Sequence, residues 1–315
     1  MGEQILLYYL RISSVIFLVI VIYFFYILFF KEISLKKNNF LIKKNQNINY
    51  IIYKNIINEN KFNLFIYSTF TKVYNNFYKN IHYGNFIYTN KNFYNFLETI
   101  SKPSNVLNKI TIVEGWSKKN LNTLLKNFFN DFDDINYNAI LADSYFINSD
   151  FDFNIFKNKL LNFKKNFFLN YKNNQLLDQF TIEEIMIIGS LLEKEGIDDL
   201  DKKLIFSVIK NRLKKNMKLQ IDATTIFAIT DGKYDLNRDL KIKDLKFKHP
   251  YNTYHIKGLP PAPISYVGKK TMELIFENYK SKYLYYFYDN IVKKHIYSKT
   301  YNDHKRKLSE YRSKK

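Results

Sequence analysis

The balance of apolar and polar positions shifts along this chain. Ile12 to Phe30 reads ISSVIFLVIVIYFFYILFF, nineteen positions without a charge, closed by Arg11 on one side and Lys31 on the other. As a helix, that run covers a hydrocarbon core of roughly 30 Å. No small-residue cleavage site follows it, so it predicts a retained signal anchor. Residues 31–48 are Lys- and Asn-rich without a clean period and predict a linker. From Ile48 to about Ser104, short aromatic and β-branched runs such as Asn63–Tyr67 and Asn85–Tyr88 are broken by polar turns. Asn92 to Ile100 places Phe93, Phe96 and Leu97 on one helical side. The mixture predicts a small α+β module.

The rest of the pattern predicts longer elements. Thr111 to Trp116 reads as a strand ending at a glycine, followed by a helix over about Ser117–Phe129 with Ser117 as its cap. Thr181-Ile-Glu-Glu184 is a capping box opening a helix through Ile185, Ile188, Leu191 and Leu192 to Gly196. A second helix, from about Asp201 to Lys215, carries Leu204, Ile205, Val208, Ile209 and Leu213 on one face. In Lys218 to Thr225, Gln220, Asp222 and Thr224 alternate with Leu219, Ile221 and Ala223, the period of a half-buried strand. A terminal helix starts near Tyr301. The fold class expected is α+β: tail and transmembrane anchor over 1–30, linker over 31–48, small module over 49–108, and a larger mixed domain over 109–315.

Composition narrows the function classes. The 315 residues are 46% hydrophobic and contain no cysteine, which excludes disulfides and thiolate metal sites. Lys and Arg outnumber Asp and Glu by 49 to 29, a formal charge of +20. The lysines are spread evenly and interleaved with Asn, the mark of compositional drift, and no nucleic-acid-binding motif accompanies them. The expected partners therefore do not include nucleic acid, although such a surface suits an acidic polymer or anionic lipid. Charge bias on orientation is contrary: Lys31, Lys36, Lys37, Lys43 and Lys44 follow the span, which by the positive-inside rule would keep the body in the cytoplasm. Four of the five histidines lie between His249 and His304 at no metal-ligand spacing, and HExxH, Walker, dinucleotide and G-x-S-x-G signatures are missing. No metal and no cofactor is expected.

Candidate chemistry concentrates in two places. Four of the five prolines fall between Pro250 and Pro263, around Tyr251-Asn-Thr-Tyr254 and Gly258. Such stiff irregular backbone can hold Asn252, Thr253 and Tyr254 in a cleft. Glu195 ends the apolar stripe Ile188, Leu191, Leu192 in the last turn of its helix. Burial and the helix dipole both disfavour its charge there. A carboxyl that keeps its proton near neutrality is what a general acid for a glycosidic oxygen needs. The alternative is a Glu turned outward to pair with a lysine.

At these residues the chain resembles the endolytic murein transglycosylases of the MltG, or YceG-like, family. The pattern A-S-I-x-E-K-E-T appears as Gly189-Ser-Leu-Leu-Glu-Lys-Glu-Gly196. The pattern F-x-N-R-L-x-x-x-M-x-L-Q-T-D-P-T appears as Ile209-Lys-Asn-Arg-Leu-Lys-Lys-Asn-Met-Lys-Leu-Gln-Ile-Asp-Ala-Thr224. Y-N-T-Y-x-x-x-G-L-P-P matches throughout Tyr251 to Pro261, and a closing histidine pattern matches His295, Ser298, Thr300 and His304. The departures are Gly189, Gly196, Ala142, Ala223 in place of a proline, and Asp201-Lys202 in place of a Glu-Arg pair.

The resemblance implies one N-terminal anchor, a LysM-like module and a catalytic domain outside the cytoplasmic membrane. It implies cleavage between MurNAc and GlcNAc inside peptidoglycan glycan strands, leaving 1,6-anhydro-MurNAc ends and terminating strand growth. Glu195 would be catalytic, with Gln220, Asp222, Asn252, Thr253 and Tyr254 binding substrate. Implied partners are the glycan strands, the cytoplasmic membrane and peptidoglycan synthases. The departures leave open a membrane-anchored peptidoglycan-binding scaffold with weakened turnover.

Overall fold

Asparagine, so frequent in this chain, starts many of its helices. The computed structural model describes residues 2–43, 46–89, 91–148 and 151–314; Lys44 lies outside them. In it, the side chains of Asn47, Asn60 and Asn92 accept from backbone N–H groups of α2 (Ile48–Asn55), α3 (Lys61–Phe77) and α4 (Phe93–Ile100). Each cap satisfies a donor that the first helical turn leaves unpaired. The chain divides into two units, residues 1–109 with 146–151, and residues 110–145 with 152–315.

The first unit begins with α1 (Gly2–Phe29), of which Gln4–Phe29 is long and apolar enough to cross a membrane. Most of its side chains are exposed, but Ile27 and Leu28 are buried in the unit's core with Ile33, Phe40, Tyr67, Phe86 and Phe96. Two antiparallel pairs complete this unit: β1 (Ser34–Leu35) with β3 (Ile56–Ile57), and β2 (Asn39–Ile42) with β4 (Gly84–Ile87). Tyr67 stacks on Phe93 at 4.1 Å between ring centroids, a contact worth about 1 kcal/mol beyond its burial.

Two expectations change here. The stretch read as a linker contributes β1 and β2 and buries Ile33, Leu35, Phe40 and Ile42. Asn63–Tyr67, grouped with the short aromatic and β-branched runs broken by turns, lies inside the seventeen-residue α3, where Asn63, Tyr67, Thr71 and Tyr74 recur at helical spacing on the buried side.

The second unit is mixed α and β around α7 (Ile182–Glu195), which packs against α8 (Asp199–Lys214), α9 (Asp222–Thr230) and α11 (Lys269–Phe276). Every residue from Ile185 to Leu192 is buried, so α7 is covered all round and fixes its neighbours. The capping box is present: Thr181 Oγ1 accepts from the Glu184 N–H at 3.2 Å, and Glu184 Oε2 accepts from the Thr181 N–H at 2.8 Å. The boundary between the units falls within β5 (Leu107–Thr111) and β6 (Ser144–Asn148), and the second unit also contains α5 (Lys118–Leu125), α6 (Phe153–Asn170) and α10 (Ile242–Leu245). The antiparallel hairpin β7 (Tyr285–Asp289) and β8 (Lys294–Ser298) leads into α12 (Tyr301–Ser313).

The strand expected over Thr111–Trp116 ends at Thr111. Beyond it Gly115, at φ +75°, donates to the Tyr266 carbonyl at 2.8 Å. The strand expected over Lys218–Thr225 is a turn followed by the first turn of α9. Gln220 sits there at φ +52°, a left-handed conformation that breaks the alternation.

Candidate active site

The proline-bounded segment is stitched to α7 and to the turn before α9. Ser190, in the middle of that helix, accepts from the Ile264 N–H at 3.0 Å through Oγ, and its carbonyl accepts from Ser265 Oγ at 3.2 Å. Further back in the segment, Thr253 receives the Ile221 N–H at 2.9 Å and meets Thr224 Oγ1 at 2.8 Å. The Gln220 N–H donates to the Thr253 carbonyl at 3.2 Å. The turn before α9 is therefore held against Tyr251–Tyr254 by backbone and hydroxyl bonds.

These elements and the β7–β8 hairpin enclose a cavity of about 420 Å³ lined by Glu195, Gln220, Asp222, Tyr254, Tyr286 and His295, with Arg212, Tyr285 and His304 also in its wall. Glu195 is half-buried, and its Oε2 accepts from the Tyr286 hydroxyl at 3.2 Å. Burial, and secondarily the charge of Asp222, push the Glu195 carboxyl above its usual range. The Tyr286 hydroxyl, His295 and the backbone N–H of Ala223 oppose that rise without cancelling it. Asp222, first residue of α9, is exposed to the cavity and accepts from the Tyr254 hydroxyl at 2.6 Å. Desolvation and this bond raise the Tyr254 phenol well above its ordinary value, so it remains a donor.

A second polar cluster fixes the hairpin. Asp201 accepts from Tyr297 Oη at 2.6 Å and from the Ile197 N–H at 3.0 Å, and lies 2.9 Å from His295 Nδ1. Burial alone would raise this carboxyl, but these hydrogen bonds outweigh it and hold Asp201 below its usual range. The cluster ties β8 to the α7–α8 turn and keeps Tyr286 over Glu195. Arg212, buried, spans the Leu284 and Leu219 carbonyls at 2.6 and 2.5 Å under the ring of Tyr285. It braces the turn against the hairpin.

Of the residues singled out in the sequence, Glu195, Gln220, Asp222 and Tyr254 meet at this cavity. Asn252 and Thr253 do not reach it. Both are 0% exposed. Asn252 accepts from Thr225 Oγ1 and the Tyr254 N–H, each at 3.0 Å, and donates to the Leu245 and Phe247 carbonyls. Their polar groups are used up in shaping the segment, so they are positioning residues. Glu193 is similarly internal, pairing with Lys202 at 2.6 Å and accepting the Gly268 N–H at 2.9 Å.

Tyr286, Arg212 and Asp201 escaped sequence reasoning as site residues, and His295 entered only as part of a pattern. The signal for the hairpin was its run of aromatics, Tyr283 to Tyr288, which reads equally well as core. Chemically, the cavity offers one carboxyl biased toward its protonated form, a carboxylate next to it, and phenol donors around both.

The YceG-like family description matches residues 41–310. The endolytic murein transglycosylase of Bacillus subtilis (strain 168) is 35% identical over 138 residues, 44% of this chain and 37% of that protein. The endolytic murein transglycosylase of Streptococcus pneumoniae serotype 2 is 35% identical over 135 residues, 42% of this chain and 24% of that protein. The matched part thus spans 37% and 24% of these relatives' length. The crystal structure of a YceG-like protein from Listeria monocytogenes shares the fold, with a TM-score of 0.52 over 87% of this chain and 99% of that one, at 23% identity.

Proposed function

We propose, from the premise that this chain belongs to the YceG-like family, that it is an endolytic murein transglycosylase cutting MurNAc–GlcNAc bonds within glycan strands. The observation that carries this reading is Glu195: a carboxyl pushed toward its protonated form at the wall of an open polar cavity, hydrogen-bonded to Tyr286 and facing Asp222.

Glu195 donates its proton to the bridging oxygen as the bond to the MurNAc anomeric carbon breaks. The carboxylate so formed takes the proton from the MurNAc C6 hydroxyl, whose oxygen closes onto the anomeric carbon. The product is a 1,6-anhydro end, and no water is consumed. One carboxyl serves as acid and then as base. The Asp222 charge, steadied by Tyr254, favours the oxocarbenium-like centre, and Gln220 at the cavity rim orients the sugar. Asp201 and His295 keep the hairpin closed over the acid.

We take residues 49–108 to be a LysM-like module and 109–315 the catalytic domain, with α1 as a single-pass anchor in the cytoplasmic membrane and the body outside it. Work beside peptidoglycan synthases, ending nascent strands, follows from the same reading. The experiment is digestion of intact peptidoglycan by the purified chain, with fragments weighed by mass spectrometry. Ends lighter by one water than hydrolytic ends are expected. Glu195→Gln should lower release by about 10²–10⁴-fold. Ends carrying the full mass of water would replace the transglycosylase with a muramidase. Binding of glycan strands without cleavage, with Glu195→Gln indistinguishable from the parent, would leave a binding scaffold.

A further inference from the structure

We propose that a basic, aromatic-walled cavity beyond α9 binds the acidic peptide stem of the glycan substrate, an inference that rests on the glycan-cleaving function proposed above. The cavity measures about 860 Å³ and is lined by Lys118, Lys119, Lys126 and Lys233 with Tyr137 and Tyr251 among its walls. Its charges do not cancel. Lys233 pairs with Asp231 at 2.9 Å, and Asp134 accepts from the Asn122 amide at 2.6 Å. Lys118 donates to Asn136 at 3.0 Å over the ring of Tyr137. Lys119 and Lys126, both exposed, have no ion pair among the described residues. The unmet charge is positive, and it sits in a concave site with firm walls: Tyr137 packs on Tyr266 at 4.9 Å and Tyr251 on Phe227 at 4.7 Å.

The cavity is joined to the site of cleavage along one helix. A smaller space of about 240 Å³ shares Lys119, Phe227 and Gly232 with it and is lined at its other side by Lys194 and Ala223, the chain neighbours of Glu195 and Asp222. Both cavities border α9, Asp222 in the wall of the catalytic one and Phe227 in the wall of the basic one. The five helical steps from Asp222 to Phe227 rise about 7.5 Å, the reach of about two extended peptide residues. A stem leaving a sugar bound at Glu195 therefore arrives at the lysines with its carboxylates. The two cavities differ as this division requires: the catalytic one sets the Asp222 charge beside Arg212 and a Glu195 biased toward its protonated form, whereas the other presents Lys119 and Lys126, without ion pairs among the described residues, to an anion.

Binding to the full-length Glu195→Gln chain tests this by calorimetry with two probes, glycan oligomers carrying their stems and the same oligomers stripped by an amidase. Stem-bearing oligomers should bind about 3- to 10-fold tighter at low salt, with the preference shrinking as salt rises. Adding Lys119→Ala and Lys126→Ala should erase the preference and leave affinity for stripped glycan unchanged, while Lys119→Arg with Lys126→Arg keeps it. Equal affinities for the two probes, or a preference untouched by the alanines, would overturn the inference. Turnover of intact peptidoglycan by the parent is read separately, so loss of the cleavage reading and loss of the stem site give different results.

Discussion

Glu195 affects stability as well as chemistry. Burial and the neighbouring Asp222 charge keep its proton on to higher pH in the folded chain than in the unfolded one. Across that window the unfolded chain has released a proton that the native chain still holds, so stability falls as pH rises. Glu195→Gln lacks this penalty, and its Tm should exceed the parent's at neutral pH, with the gap closing as pH falls toward 4.5. Thermal melts across pH check it. Two neighbours should move the alkaline limb of activity in opposite directions. Asp222→Asn removes a charge that raises the Glu195 carboxyl, so the limb should shift to lower pH. Ala223→Pro removes an N–H that lowers it, so the limb should shift upward. Proline is tolerated there because Ala223 lies in the first turn of α9. The alanine standing where the resembling pattern has proline thus gives this carboxyl a donor that proline lacks.

At the scale of elements, α7 organises the site, and its glycines are packing devices. A Cβ at Gly189 would lie 2.1 Å from Met272 Cε and 2.7 Å from Val267 Cγ1, so the departure at this position is filled by those two side chains. At Gly196 a Cβ would lie 2.3 Å from Lys202 Cγ, the stem of the lysine that pairs with Glu193. Gly189→Ala should destabilise the fold by about 1–3 kcal/mol, measured by denaturant titration.

The helices α7 and α8 were legible in the sequence because their caps and apolar faces are local properties. That Glu195, Gln220, Asp222 and Tyr254 line one cavity was not legible in their spacing, and only the family resemblance grouped them. The turn before α9 was not legible, since the left-handed Gln220 imitates a strand's alternation until its partner Thr253 is known. Asn252 and Thr253 looked like ligand contacts for the same reason that they are buried: amides and hydroxyls hold irregular backbone as readily as they hold sugars.

Over the whole molecule, the +20 charge proved the least informative feature of the sequence, because its sign acquires meaning only where lysines go unpaired beside a concavity. The short ladders of the first unit were equally hidden: strands of two to four residues carry little period of their own. Its core also reaches into α1 through Ile27 and Leu28. A chain starting at Tyr23 should keep the unit's melting transition, whereas one starting at Lys31 should lower it by several degrees, checked by calorimetry. With α1 embedded in lipid as proposed, that shared turn removes any swivel at the bilayer surface. The helix becomes a mast instead of a leash, and each tilt it makes in the bilayer is passed directly to the first unit, whose core it enters.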